Sequence, residues 1–374
     1  MSNEQAYCNV ENSSSFLISL CTGVCSVDSN VECVQDLDSE NKRIRFIVGL
    51  LSLIITIIGV FGNSLTLLSV PFAIRREKFG FDRNIETTIF ILNLSCIDIL
   101  YCLLCGLHLS TSFLCNTWMY SLQTCRAIYF VGNILAYNAA TAMALVAMSR
   151  CLELTRNKIW MKLSRSKVNL CLMSVGTWIA GILGFSIQIE FDYHLSVGWN
   201  CELGVCGHVP WKLQSKFYFV SICVIILSIA ISYIIMWKKV QSSAKILVRS
   251  GNTNMDVEDR QRKLTRMILI LVCSFTLCNI PMHLTFIFTF SRDFFYLSVV
   301  LYSSQYGINF IIYHLSNPEY RNASTYYLRY IASKFSKTLP DNIIQQTNNG
   351  TDIALQSRAS AKTSSTITSS LSQT

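Results

Sequence analysis

Seven apolar stretches, each long enough for a helix to cross the roughly 30 Å hydrocarbon core of a bilayer, constrain this chain more than any other feature. They run over 46–74, 86–112, 122–150, 168–189, 214–237, 264–290 and 293–315. Lipid offers backbone N–H and C=O groups no partners, so each stretch must satisfy its own, as a helix does. Hydrophobic residues make up 51% of the chain and charged ones 14%, with a mean hydropathy of +0.40. That balance lies outside the soluble range and argues against a soluble enzyme. The predicted fold class is an all-α membrane protein, a seven-transmembrane helix bundle.

Basic residues mark the inner loops of membrane proteins. The first connection carries Arg75, Arg76, Lys78 and Arg83, and the third Arg156, Lys158, Lys162, Arg165 and Lys167. The fifth carries Lys238, Lys239, Lys245, Arg249, Arg260, Arg262, Lys263 and Arg266, whereas the even-numbered connections offer Lys212 and Arg292. The N-terminus is therefore expected outside and the C-terminus inside a multi-pass plasma-membrane protein bathed in lipid. The net charge of +9 is read as this topology signal, and no nucleic-acid partner is expected. The layout predicted is an extracellular segment (1–45), the membrane domain (46–315), a short interfacial helix (316–332) and a disordered, Ser/Thr-rich cytoplasmic tail (333–374). No basic stretch followed by a short apolar one precedes the first span, so that span is expected to serve as its own signal anchor.

Of the sixteen cysteines, Cys8, Cys21, Cys25, Cys33, Cys115, Cys125, Cys201 and Cys206 fall on the outer, oxidising side, where bridges form in a connectivity that sequence leaves open. The others (Cys96, Cys102, Cys105, Cys151, Cys171, Cys223, Cys273 and Cys278) read as small apolar packing residues. Asn12-Ser13-Ser14 is a glycosylation acceptor in the outer segment, while Asn322 and Asn349 lie inside and should stay bare. Of the last eighteen residues eleven are Ser or Thr, a pattern open to two readings, a phosphorylation cluster or a polar linker.

Two ionisable residues are misplaced for lipid. Asp98 lies mid-span, where a carboxylate costs of order 3 kcal/mol on insertion scales. Arg150 stands at the inner end of the third span, 25 residues after Cys125. Around them are Gly62-Asn63 in the first span, Leu94-Ser-Cys-Ile-Asp98 in the second, Trp118 seven residues ahead of Cys125, Trp178 in the fourth and Tyr233 in the fifth. The sixth span carries Phe275-Thr-Leu-Cys278-Asn-Ile-Pro281, the seventh Asn309-Phe-Ile-Ile-Tyr313, and Asn317-Pro-Glu-Tyr320-Arg321 follows. In this order and spacing the chain resembles the rhodopsin-like family of G-protein-coupled receptors, over about residues 46–325.

The resemblance implies a bridge from Cys125 to Cys201 or Cys206, and a polar core of Asn63, Asp98 and Asn309. It implies a two-state switch: Pro281 hinges the sixth helix, Phe275 packs beneath it, and the inner half swings outward to admit a helix of a heterotrimeric G protein. Arg150, with Ser149 beside it, Tyr233 and Tyr313 would line that groove. An arrestin-like protein would read the phosphorylated tail. No cofactor, metal or enzymatic activity is implied.

Several positions depart from the family pattern. Ser149-Arg150-Cys151 leaves Arg150 without the usual adjacent acid, and Arg260, Gln261 and Arg262 stand where a locking acid is often found. Asn279 replaces a tryptophan, Phe310 a proline, and Ala139 a hydroxyl residue, which puts sodium binding near Asp98 in doubt. Gly132 replaces the aspartate of amine receptors and Ser303 the retinal-bearing lysine of opsins, so neither ligand is expected. The pocket wall implied by helical position is Gly132, Asn133, Ala136, Phe217, Ser221, Asn279, His283, Phe286, Val299 and Ser303. It is largely neutral and suits a neuropeptide or a small neutral or lipid-like molecule. The runs Phe79-Gly-Phe-Asp-Arg-Asn-Ile-Glu86 and Asn317-Pro-Glu-Tyr-Arg-Asn322 are similar to invertebrate orphan receptors of the Moody and melatonin-receptor group, with FMRFamide-type peptide receptors as the rival. Two other classes stand as alternatives. A seven-span transporter or channel would show internal repeats and broken helices; a receptor-like decoy or adhesion protein would fit the altered Ser149-Arg150-Cys151.

Overall fold

The computed structural model describes residues 39–79, 81, 85–115, 120–191, 196–200, 203, 205–209, 223, 227–228, 230–236, 238, 255–288 and 290–336. The first span is α1 (Ser39–Arg75). The second is α2 (Ile85–Tyr101), which passes through one π-helical turn (Cys102–Gly106) into α3 (Leu107–Cys115). The third is α4 (Leu122–Leu154), followed by the short α5 (Lys158–Leu163) and the fourth span α6 (Lys167–Phe191). A hairpin of β1 (Ser196–Asn200) and β2 (Val205–Val209) comes next. Where it is described, at 230–236, the fifth span is helical. The sixth span is α7 (Met255–Ile287), the seventh α8 (Arg292–Ser316), and α9 (Pro318–Ser336) completes the fold. This is a seven-helix bundle, in which the seventh span packs on the first and sixth, the third on the second and fourth, and α9 on the first.

The helices outrun the apolar stretches at most ends, because hydropathy registers only the lipid-embedded part of a helix. The sixth span shows this most clearly, beginning at Met255 where the apolar run begins at 264. Among the described residues, five helices are both long and apolar enough to cross a membrane: Glu40–Arg75, Ile85–Cys115, Gln123–Leu154, Lys167–Ser186 and Lys263–Thr285. The seventh span is as long but carries Ser303, Gln305, Tyr306 and Asn309 on its buried face. The bundle is apolar outside and polar within, as lipid requires. Phe61 is 73% exposed and Leu315 76%, while Asn63, Asp98, Asn138, Gln305 and Asn309 are buried.

Local chemistry sets the helix ends. Ser121 caps the third span, its hydroxyl accepting from Thr124 N at 3.2 Å, and Ser291 caps the seventh in the same way at Phe294 N (3.3 Å). Asn317 leaves the helical conformation (φ −129°, ψ 115°) and its side chain accepts from Glu319 N at 2.9 Å, so Pro318 can start α9 in a new direction. At the opposite end of the bundle, Cys206 on β2 is disulfide-bonded to Cys125 at the top of the third span, with Cα atoms 5.5 Å apart. Of the two partners that sequence left open, the structure has Cys206. The strands pair antiparallel with Trp199 opposite Cys206, and Val205 is buried with Phe113, Phe295 and Tyr296. The hairpin is thereby pinned over that end. Cys115 is also disulfide-bonded.

Two close approaches depend on glycine. A Cβ at Gly59 would lie 2.5 Å from Cys102 Sγ and 3.1 Å from Tyr306 O, so the first, second and seventh spans meet there at backbone distance. A Cβ at Gly62 would lie 2.3 Å from the Phe310 ring. Phe310 thus fills a notch in the first span, and its ring also lies 4.1 Å from that of His314. His314 Nε2 is 2.6 Å from Ser324 Oγ on α9, which is 3.2 Å from Ser69 Oγ on the first span. Gly62→Ala should force Phe310 out of this notch and cost about 1–3 kcal/mol as overpacking does. The melting midpoint of the solubilised chain should fall, and Phe310→Leu should recover part of the loss; an unchanged midpoint for Gly62→Ala would contradict the packing.

Candidate functional site

Asp98, Asn309 and Asn63 come from three helices and meet inside the bundle. Asn309 Nδ2 donates to Asp98 Oδ2 at 2.8 Å, and both residues are buried, Asp98 to 1% exposure. Asn63 Nδ2 donates to Gly59 O at 3.0 Å and to Tyr306 O at 2.9 Å, tying the first span to the seventh. Several polar atoms near this core have no hydrogen-bond partner among the described residues: Asp98 Oδ1, Asn63 Oδ1, Ser95 Oγ and the Tyr313 hydroxyl. Such atoms carry a desolvation cost. Ala139 is buried and brings no hydroxyl. On the far side of the bundle, Trp178 Nε1 donates to Asn93 Oδ1 at 2.9 Å and Asn93 to Thr177 Oγ1 at 3.2 Å, joining the second span to the fourth.

Arg150 is 1% exposed at the other end of the third span and is ion-paired with Glu153, one turn further along the same helix. The acid that position 149 lacks is thus present at position 153, a spacing that puts both side chains on one helix face. Ser149 is buried, its hydroxyl turned onto Val146 O at 2.8 Å. Glu86, buried in the first turn of the second span, lies near Glu153. Tyr313 is fully buried with its ring 5.7 Å from that of Tyr320, whose ring meets Phe81 edge-on at 5.3 Å. Burial pushes the Tyr320 phenol up, so it stays protonated, and it hydrogen-bonds Thr88. Tyr233 is half-buried on the described part of the fifth span.

Between these sites lies the one proline of the sixth span. Pro281 sits inside α7, where it leaves the Leu277 carbonyl without its helical partner. Phe275 is buried one turn and a half before it. Asn279 Nδ2 donates to Phe275 O at 2.7 Å and also to Gln305 Oε1 on the seventh span. Cys278 Sγ lies 3.4 Å from Ser304 Oγ, so two polar clasps join the sixth and seventh spans beside the kink.

The residues assigned to a pocket wall distribute unevenly. Asn279, His283 and Ser303 are buried and polar, with Ser303 Oγ lacking a hydrogen-bond partner among the described residues. Gly132 and Ala136 are half-buried. Asn133 is turned back onto its own helix, its amide donating to Tyr129 O at 2.8 Å. Val299 packs in the apolar cluster with Val48, Phe113 and Tyr296. Phe217, Ser221, Cys201, Trp118 and Asn12 lie outside the described residues, as does the Phe286 side chain. Sequence reasoning missed Glu153, Glu86 and Gln305, and also the Tyr101, Tyr302 and Tyr306 cluster, in which Tyr101 and Tyr306 stack at 3.6 Å. The first was readable from its helical spacing to Arg150; the others needed the tertiary fold.

The sequence profile described as "7 transmembrane receptor (rhodopsin family)" matches residues 62–313. Galanin receptor 2b of Danio rerio is 24% identical over 251 residues, 66% of this chain and 63% of that receptor. Neuropeptide Y receptor type 6 of Oryctolagus cuniculus is 25% identical over 279 residues, 70% of this chain and 71% of that receptor. The match therefore spans less than two thirds of the galanin receptor's length. The crystal structure of squid rhodopsin superposes with a TM-score of 0.58 at 18% identity, covering 79% of this chain and 88% of that one.

Asn309→Ala should strip Asp98 of its hydrogen bond from the seventh span and lower stability by about 1–3 kcal/mol, the cost of a buried unsatisfied polar group. The melting midpoint in detergent measures this, and a variant as stable as the native chain would show that Asp98 does not depend on Asn309.

Proposed function

The chain belongs to the rhodopsin family of seven-transmembrane receptors, and from that premise we propose that it transmits the binding of an extracellular peptide to a heterotrimeric G protein. The observation that carries the reading is Arg150, a fully buried guanidinium held at the end of the third span by an acid on its own helix. A buried charge is expensive to keep and makes sense where it can be released to a partner. In this reading the sixth helix swings outward about Pro281, the Asn279 and Gln305 clasp opens, and Arg150, Tyr233 and Tyr313 line the groove that results. The bias needed is a few kcal/mol, within reach of one ligand's preference for the open state.

The N-terminus is placed outside by the distribution of Lys and Arg, which puts the disulfide-tied hairpin on the ligand side and α9 inside. A peptide is favoured over a small neutral or lipid-like ligand because relatives named for galanin and neuropeptide Y match over 66% and 70% of the chain. Asn12 is the glycosylation site of the outer segment, and the Ser/Thr-rich tail is the docking site for an arrestin-like protein once phosphorylated. The layout of outer segment, membrane domain, interfacial helix and tail goes with this topology. The transporter and decoy alternatives have no support from the family or the fold.

A panel of G-protein reporters in cells, run without ligand on the native chain and on Arg150→Ala, tests the reading. One channel should show activity that Arg150→Ala abolishes at equal surface level. Equal activity of the two proteins in every channel, followed by silence to peptide libraries, would count against a coupled receptor.

A further inference from the structure

His314, near the end of the seventh span, has no part in the polar core or the groove, yet it joins three helices. Its Nδ1 lies 2.9 Å from Phe310 O one turn back, and its Nε2 lies 2.6 Å from Ser324 Oγ on α9, which is 3.2 Å from Ser69 Oγ on the first span. The partners fix where the protons sit. A carbonyl only accepts, so Nδ1 carries the proton, and Nε2 of the neutral ring is then an acceptor. Ser324 therefore donates to His314, and its oxygen is left to accept from Ser69. Ser69 and Ser324 are buried and His314 is part-buried, so an apolar residue at any link leaves the others with a hydrogen bond unmade away from water.

The attachment to the first span is double. The Phe310 ring fills the notch at Gly62 and lies 4.1 Å from the His314 ring, and Ser69 stands two turns beyond Gly62 on the same helix. On α9, Ser324 lies one turn beyond Tyr320, whose ring is 5.7 Å from that of Tyr313. The neighbours Tyr313 and His314 thus meet successive turns of the buried face of α9. We propose that His314 is a positioning residue that docks α9 on the first and seventh spans and so keeps Tyr320 against Tyr313. Its consequence for signalling rests on the receptor reading above: Tyr313 lines the groove only after leaving Tyr320, so the docked helix holds the resting arrangement. Glutamine at position 314 sets an amide oxygen where Nε2 stands and can accept from Ser324, whereas leucine fills space and accepts nothing.

The test uses the full chain in lipid nanodiscs without ligand. With isotope-labelled histidine, the ring-nitrogen resonances that disappear in His314→Gln should be those of a neutral imidazole protonated at Nδ1; a doubly protonated ring, or one protonated at Nε2 alone, would overturn the hydrogen-bond chain. Spin labels introduced by unnatural amino acids at Arg75 and Arg329, both exposed, should give one distance in the native chain and in His314→Gln. His314→Leu and the milder Ser324→Ala should each broaden and lengthen it, and the double variant should be no looser than either, since the groups act as one unit. A native distance in both single variants would overturn the docking. On purified G protein, the same two variants should raise nucleotide exchange severalfold at equal amounts of folded protein, with His314→Gln near the native rate. Native exchange in both, or His314→Gln as active as His314→Leu, would overturn the positioning role. If the distances behave as stated and no protein catalyses exchange, the receptor reading fails and the docking of α9 stands.

Discussion

A low-dielectric interior that must hold charge is the constraint on which this bundle depends. Asp98, Arg150, Asn63 and Asn309 are buried among helices whose outer faces are apolar, and each is tolerable only where another helix or its own supplies a partner. The bond from Asn309 to Asp98 joins the seventh span to the second, and the Asn63 amide joins the first to the Tyr306 carbonyl. Gly59 lets the backbones come close enough for these bonds to form. The packing of the first, second and seventh spans follows from satisfying those groups as much as from fitting apolar surfaces.

The positions that depart from the family pattern show how the same constraint is met by other residues. Arg150 has no acid at 149, yet Glu153 pairs with it one turn on. Phe310 stands where a proline is usual, and its ring seats on Gly62 and faces His314, which is bonded to Ser324 on α9. Asn279 lacks the bulk of an indole and instead clasps Gln305 across the helix interface. A hydrogen-bonded clasp resists separation of the sixth and seventh spans until a competing polar group arrives, whereas a bulky ring acts by changing rotamer. The link between the sixth and seventh spans beside Pro281 is therefore polar in character.

Much of the fold was legible in the sequence because lipid allows so few solutions. The apolar stretches marked six of the helices now described over most of their length, and Asp98 and Asn309 could be placed together because the resemblance to the receptor family implies a shared polar core. Helix ends were less legible: α7 begins at Met255 because its polar first turns leave the lipid but not the helix. The clasps were not legible. Gln305 and Glu86 are ordinary polar residues until the fold sets them beside Asn279 and Glu153. Which cysteine of the outer loop meets Cys125 was not legible either; it is Cys206, on β2 opposite Trp199.

The central claim is that the chain has two arrangements, related by a swing of the sixth helix about Pro281. Distance measurement between spin labels introduced by unnatural amino acids at Lys263 on the sixth helix and Arg156 beyond the third, both exposed, tests it most directly. The account predicts one distance population in the isolated chain in nanodiscs and a second, longer one when nucleotide-free G protein is added. A single unchanged population, with the G protein shown to be bound, would contradict the swing and with it the switch.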